Sequence, residues 1–351
     1  MASLTATAVT PTILLWLTGC AMPFWKAGRP EHFAVINQIV FNGTLCIGLL
    51  QSMGVIAVTN SNAVTIYAHL ILSAFTAIIF IPLVYLFSPN RRFHFGVFSQ
   101  VFIATTVGNV LVVGVPIVKA TMPDYISYLY ILLIPQNAML PLYIGLFEYF
   151  KFNREKPEDA KGDSLQILKK AVVASLKSPL TIATICAIIW MFISTYAKDS
   201  VALRSQWPPI VYEYFSYLNQ VTVPMGTISI GFFTHNEIRK MIMEWKDKTL
   251  RPKTQQILPD WLLVLIVLLY KNFVCPPFTG WICSWFKVDK GVIDANMIAQ
   301  TSPCALFSFV FSSAYGWKPR LAAYWVIINN FLLFGSVPYV VYLTKHLFLD
   351  Y

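Results

Sequence analysis

The chain is 351 residues long, 57% hydrophobic and only 12% charged, with a formal net charge of +10 and a mean hydropathy of +0.62. A soluble domain of this size carries about 25% charged residues, so a water-facing fold is excluded. Nucleic-acid binding is excluded by where the charge sits: Lys and Arg lie in short segments between long apolar blocks, the pattern set by membrane topology.

The blocks are continuous and show no strand-length alternation, which predicts an all-α polytopic membrane protein. In chain order there are ten spans, at roughly 5–25, 34–55, 64–87, 97–118, 126–149, 179–197, 211–234, 258–286, 293–315 and 321–347. The first has no basic stretch before it, and Lys26 follows it, so it reads as a span and not as a cleavable signal peptide. The second contains the sequon Asn42-Gly43-Thr44, which its position in a span keeps from glycosylation. The third and eighth each carry an ionisable residue, His69 and Lys271. Between the fifth and sixth lies the only sizeable polar insert, 150–178, whose second part SLQILKKAVVASLK predicts a short basic helix at the membrane surface. Six cysteines fall in or beside the spans with no C-x-x-C and no metal spacing, and read as apolar fillers.

Most of the 26 basic residues fall in the segments after spans 1, 3, 5, 7 and 9. That bias puts those segments in the cytosol and both termini on the other side, in the endoplasmic reticulum or plasma membrane. The insert divides the chain into a first five-helix repeat (1–150), a cytosolic loop with its interfacial helix (151–178) and a second five-helix repeat (179–351). Five is odd, so the second set enters the bilayer from the opposite side, and two similar halves would be inverted repeats.

The fourth span contains GNVLVVGVPIVKA, Gly108 to Ala120. A span that only has to be apolar needs neither Asn109 nor Pro116. Proline removes a backbone donor, and in lipid the freed groups must find partners inside protein or beside a water-filled cavity. Gly108 and Gly114 let another backbone approach. The fourth span of the second half has a matching interruption at Pro303, in IAQTSPCALFSFVF. Two interrupted helices meeting near the midplane would aim dipoles and free backbone groups at one point, the form of a substrate site.

These residues carry a resemblance. GNVLVVGVPIV resembles the N-T-L-V-x-G-I-P-L-L segment of the auxin efflux carrier family. Phe147-Glu148-Tyr149, Ser178-Pro179 with Thr181 and Trp190, Met225 with Ser229-Ile230-Gly231 and Phe233, and Pro303 with Phe309-Val310-Phe311 fall in that family's order and spacing, as do Lys26, Pro30 and Ile36-Asn37. The resemblance implies a fold of ten transmembrane helices in two inverted repeats, with broken crossover helices 4 and 9. It implies a scaffold of helices 1, 2, 6 and 7, a moving transport domain of helices 3–5 and 8–10, a homodimer, and elevator-type movement of a carboxylate anion without a coupling ion. Asn109 matches the position whose amide holds the substrate carboxylate, and Leu45 an apolar wall position. Two positions depart: the family's second substrate-contacting Asn is Leu180 here, and the Asp of helix 3 aligns with His69, with a nearby Lys at Ser73. The identity of the anion stays open.

From the residues alone, His69 and Lys271 with no clearly buried acid favour an organic anion over a cation. Gln136 and Asn137, just after Pro135, are second-rank ligands. Gln51, Asn219, Gln220, Gln300, Asn329 and Asn330 read as interhelical hydrogen bonds. There is no G-x-x-x-x-G-K, H-E-x-x-H or G-x-S-x-G, so no enzyme, no cofactor and no metal is expected. Two alternatives to a secondary carrier stand beside it: a receptor that keeps the fold without transport, and an ion-coupled symporter of the bile-acid type.

Overall fold

In a computed structural model, the protein is described at residues 2–25, 29–44, 60–86, 95–136, 179–196, 209–246, 260–304 and 319–346, with scattered residues between. The helices are α1 (Ala2–Ala21), α2 (Pro30–Ile39), α3 (Asn60–Leu86), α4 (Phe95–Thr106), α5 (Val115–Thr121), α6 (126–136), α7 (Pro179–Tyr196), α8 (Pro209–Lys246), α9 (Asp260–Leu269), α10 (Cys275–Trp285), α11 (Lys290–Gln300) and α12 (Pro319–His346). Three wider π-helical turns occur among the described residues: Val40–Thr44 continues α2, Val110–Gly114 leads into α5, and Tyr270–Val274 joins α9 to α10. The described residues contain no strand, only an isolated antiparallel pairing of Gly108 with Cys304.

Two of these helices are long and apolar enough to cross a bilayer alone, Asn60–Leu86 and Trp261–Trp285. The pair Leu321–Leu333 and Gly335–Leu343, bent by 58°, makes a third crossing if it is taken as one broken span. Pro338 accounts for the bend, because its missing N–H frees the carbonyl one turn back, at the break. Ile13–Phe24, Gly96–Thr106 and Thr181–Ile193 are shorter apolar helices, and several predicted spans run past the described residues. The described residues are helical and strand-free, with two or three apolar crossings, and the ten-span layout is the expectation from the sequence.

The polarity of α3 is inside-out. Its buried face holds Asn62, Thr65, His69, Ser73 and Thr76 among Ala68, Leu72 and Phe80, whereas its exposed face is Tyr67, Leu70, Ile71, Ile78, Ile81 and Tyr85. Only an apolar solvent rewards that arrangement, so α3 turns one side to lipid and keeps its polar side for protein partners. Ser73 Oγ and Thr76 Oγ1 satisfy themselves on the His69 and Leu72 carbonyls, each at 2.8 Å. The buried face meets the α9–α10 span: Thr76 Oγ1 pairs with the Tyr270 hydroxyl at 2.8 Å, Phe80 packs edge-on to Tyr270, and Phe75 stacks on Phe278 at 4.2 Å.

A separate close crossing joins α1 to α8. A Cβ on Gly19 would lie 2.0 Å from the Ile228 carbonyl oxygen, and one on Gly231 1.9 Å from that of Trp16. Two glycines facing each other's backbone let the axes approach as no other residue pair would. Trp16 Nε1 donates to Thr234 Oγ1 and the Cys20 thiol to the Gly231 carbonyl across the same contact.

At one end of the molecule, the connections before α6 and α11 touch. The Tyr125 hydroxyl donates to Asp289 Oδ2, and its ring lies against Gly291, where a Cβ would meet ring carbons at 2.0 Å. The same Asp289 oxygen caps α11 by accepting from Gly291 N at 3.1 Å. That hydrogen bond holds the phenol proton of Tyr125 more firmly than in an ordinary tyrosine.

Candidate substrate crossing

The fourth span breaks after Thr106. Val107, Gly108 and Asn109 leave the helix, the chain resumes with the wide turn Val110–Gly114, and α5 follows. The ninth span breaks after Gln300, over Thr301, Ser302, Pro303 and Cys304. The two breaks cross and pair: Gly108 faces Cys304 in the antiparallel bridge, and Asn109 N donates to the Pro303 carbonyl at 2.7 Å. A buried broken helix must re-satisfy its freed backbone groups, and here each break supplies the other.

The glycines set the separation. A Cβ on Gly114 would stand 2.7 Å from Ser302 Oγ, and one on Gly108 would stand 3.3 Å from Ser302 Cβ. Pro303 lies within its break, as the sequence suggests. Pro116 does not: it sits in the first turn of α5, seven residues past Asn109. A proline is well tolerated in the first turn of a helix, where an N–H would lack a partner anyway, and the preceding π turn gives its ring room. What breaks span 4 is the Gly108-Asn109 pair, with Asn109 at φ −80° and ψ 53°.

The polar groups around the crossing are deeply buried. Lys271 is 0% exposed, and its Nζ donates to the Thr105 carbonyl in the last turn of α4 at 2.9 Å. Gln136 of α6 donates to the neighbouring Thr106 carbonyl at 3.3 Å. The C-terminal end of the first half-span is thus capped by two side chains from other helices. On the far side, Asn272 Nδ2 donates to Asn329 Oδ1 at 2.7 Å, and Asn329 Nδ2 to Cys304 Sγ at 3.4 Å. His69 Nδ1 lies 3.5 Å from Gln300 Nε2, and His69 Nε2 and Gln300 Oε1 are buried without a partner. Asn296 ties α11 to α3 through Thr65 Oγ1 at 3.0 Å.

Asn109, like His69 and Gln300, has a shielded atom without a partner, and here it is an amide donor at the break itself. Its side chain is half-buried, yet Nδ2 is shielded and has no acceptor. The half-span that follows starts at Val110, so its first N–H groups also point back toward the crossing. A free amide donor beside a helix N-terminus suits an anionic oxygen.

Of the predicted site residues, Gly108, Asn109, Gly114, Gln136, Lys271 and Pro303 come together at the crossing, with His69 next to it through Gln300. Leu45 and Asn137 lie outside the described residues, and Leu180 is described only as a backbone position in α7. Three contributors carry no signal in the sequence: Thr105, through its backbone carbonyl, Ser302, whose side chain faces Gly108 and Gly114, and Asn272, adjacent to Lys271. One reading needs correcting. The expectation of no clearly buried acid does not hold: Asp294, in the second turn of α11 at the start of the ninth span, has Oδ1 buried without a partner, and the buried Glu237 of α8, just past the seventh span, pairs with Lys240 at 2.6 Å. Beside Asp289 and Lys290, Asp294 reads in the sequence as part of the charge at a span boundary.

The profile of a protein family described as membrane transport protein matches residues 4–341. No curated protein is similar enough to the chain to count as a match.

Proposed function

The chain belongs to the membrane transport protein family of the auxin efflux carriers, and from that premise we propose that it is a secondary carrier of a small organic carboxylate anion. The observation that carries the proposal is the shielded, unpartnered Nδ2 of Asn109 at the paired breaks. A neutral amide can bind a carboxylate without the desolvation cost of burying a second full charge, so binding stays modest and release fast. The helix end that would repel an anion, the C-terminus of α4, is already occupied by Lys271 and Gln136. The end that attracts one, the start of the half-span at Val110, faces the crossing.

In this reading the carrier is an elevator. Helices α3–α6 and α9–α12 carry the site, and α1, α2, α7 and α8 form the scaffold on which they slide, with a second copy joined through the scaffold. The glycine-tight α1–α8 contact suits the rigid side of such a device. Uptake of labelled carboxylates, auxin and simpler aryl and alkyl acids among them, into proteoliposomes with and without ion gradients tests the proposal. Saturable uptake by wild type that falls with Asn109→Ala supports it. A purified, folded carrier that moves none of the acids, or moves them equally well without the Asn109 amide, refutes it.

A further inference from the structure

Lys271 raises a question that anion binding does not answer. It is a fully buried lysine with no carboxylate beside it: the only ion pair among the described residues is Lys240–Glu237. Its Nζ is spent on a backbone carbonyl, that of Thr105. That carbonyl belongs to the last turn of α4, where the helix dipole concentrates partial negative charge. Lys271 therefore stands against the end of the fourth span's first half. Its backbone is set there by the π turn Tyr270–Val274, and the adjacent Asn272 is locked by Asn329 and the Leu268 carbonyl.

In carriers with discontinuous helices, unwound carbonyls and half-helix C-terminal ends are where a coupling cation is coordinated. A helix-terminal carbonyl such as that of Thr105 attracts a compact monovalent charge and does not distinguish a free ion from an ammonium on a side chain, except that the latter cannot leave. We propose that Lys271 is a tethered cation. It fills the place at the α4 terminus that an alkali-metal ion would otherwise take, so the protein needs no such ion, and shortening the side chain opens a monovalent-cation site there. The inference bears on the same crossing as the proposed transport function but does not depend on which anion is carried.

The test is thermal unfolding of the purified full-length carrier, without substrate, in NaCl, KCl or choline chloride at equal ionic strength. Wild type and Lys271→Arg should unfold at the same temperature in all three salts. Lys271→Ser should be less stable than wild type in choline and regain stability saturably in Na+ or K+, by on the order of 3 °C at tenfold excess over the dissociation constant. If Lys271→Ser does not fold, Lys271→Gln, which keeps two of the four methylenes and adds an amide oxygen able to ligate an ion, takes its place in the same comparison. A folded neutral variant that is indifferent to which cation is present overturns the proposal, since a merely packed lysine leaves no ion site behind. Wild type stabilised by Na+ over choline overturns it independently of either variant. Because no anion is present, failure here is distinguishable from failure of the transport proposal, which the uptake assay alone decides.

Discussion

Asn109→Ala separates function from stability in a way set by the geometry. Nδ2 of Asn109 is shielded from solvent and has no acceptor among the described residues. A buried donor left unsatisfied costs about 1–3 kcal/mol. Removing the amide removes that cost, so the empty variant should be as stable as wild type or more stable by about 1 kcal/mol once the smaller side-chain volume is counted. The backbone bond from Asn109 N to the Pro303 carbonyl is untouched, which keeps the crossing intact. With substrate the balance reverses. Losing one hydrogen bond to a carboxylate costs roughly 1.5–3 kcal/mol, or about ten- to a hundred-fold in affinity. The assay pairs thermal unfolding of the purified protein with and without a transported acid. Asn109→Ala should match or exceed wild type without the acid and lose most of the acid-induced stabilisation. A variant that unfolds several degrees lower when empty would mean that the amide has a structural partner. A variant that binds the acid as wild type does would remove Asn109 from the site.

Other outcomes follow from single contacts. Gly231→Ala should destabilise the protein by about 1–3 kcal/mol, since its Cβ would press on the Trp16 carbonyl; thermal unfolding reads it, and an unchanged midpoint would show that α1 and α8 are not in contact in the membrane. In a double-mutant cycle, Asn272→Ala and Asn329→Ala should couple by about 0.6–1.7 kcal/mol, the range for interhelical bonds in membranes, and additivity would break the pair. Asp289→Ala removes the cap of α11 and the anchor of Tyr125, and should cost about 0.5–2 kcal/mol, whereas Tyr125→Phe should cost less because the cap survives.

How far the sequence reached depended on whether a feature is local. The apolar blocks, the ionisable residues within them and the interruption at Pro303 are local, and each was readable. The break in span 4 was half-readable: glycine, asparagine and proline announced it, but proline drew attention to itself, and the chain opens at Gly108-Asn109 instead. Partners were not readable. Lys271 looked like a counter-ion for an anion, yet its Nζ reaches a carbonyl 166 positions away in the chain, and backbone acceptors leave no mark on a sequence. His69 and Gln300 were noted separately, and only the packing of α3 on α11 brings them together. The α1–α8 glycines belong to different halves, so no spacing rule within one helix could connect them.

The pairing of the two breaks also has a consequence for biogenesis. The N–H of Asn109 waits for a carbonyl that is made roughly 190 residues later, and at about 5–20 residues per second that is on the order of 10–40 s of synthesis. Until then that N–H lacks its final acceptor, so the crossing cannot close before the ninth span has been made.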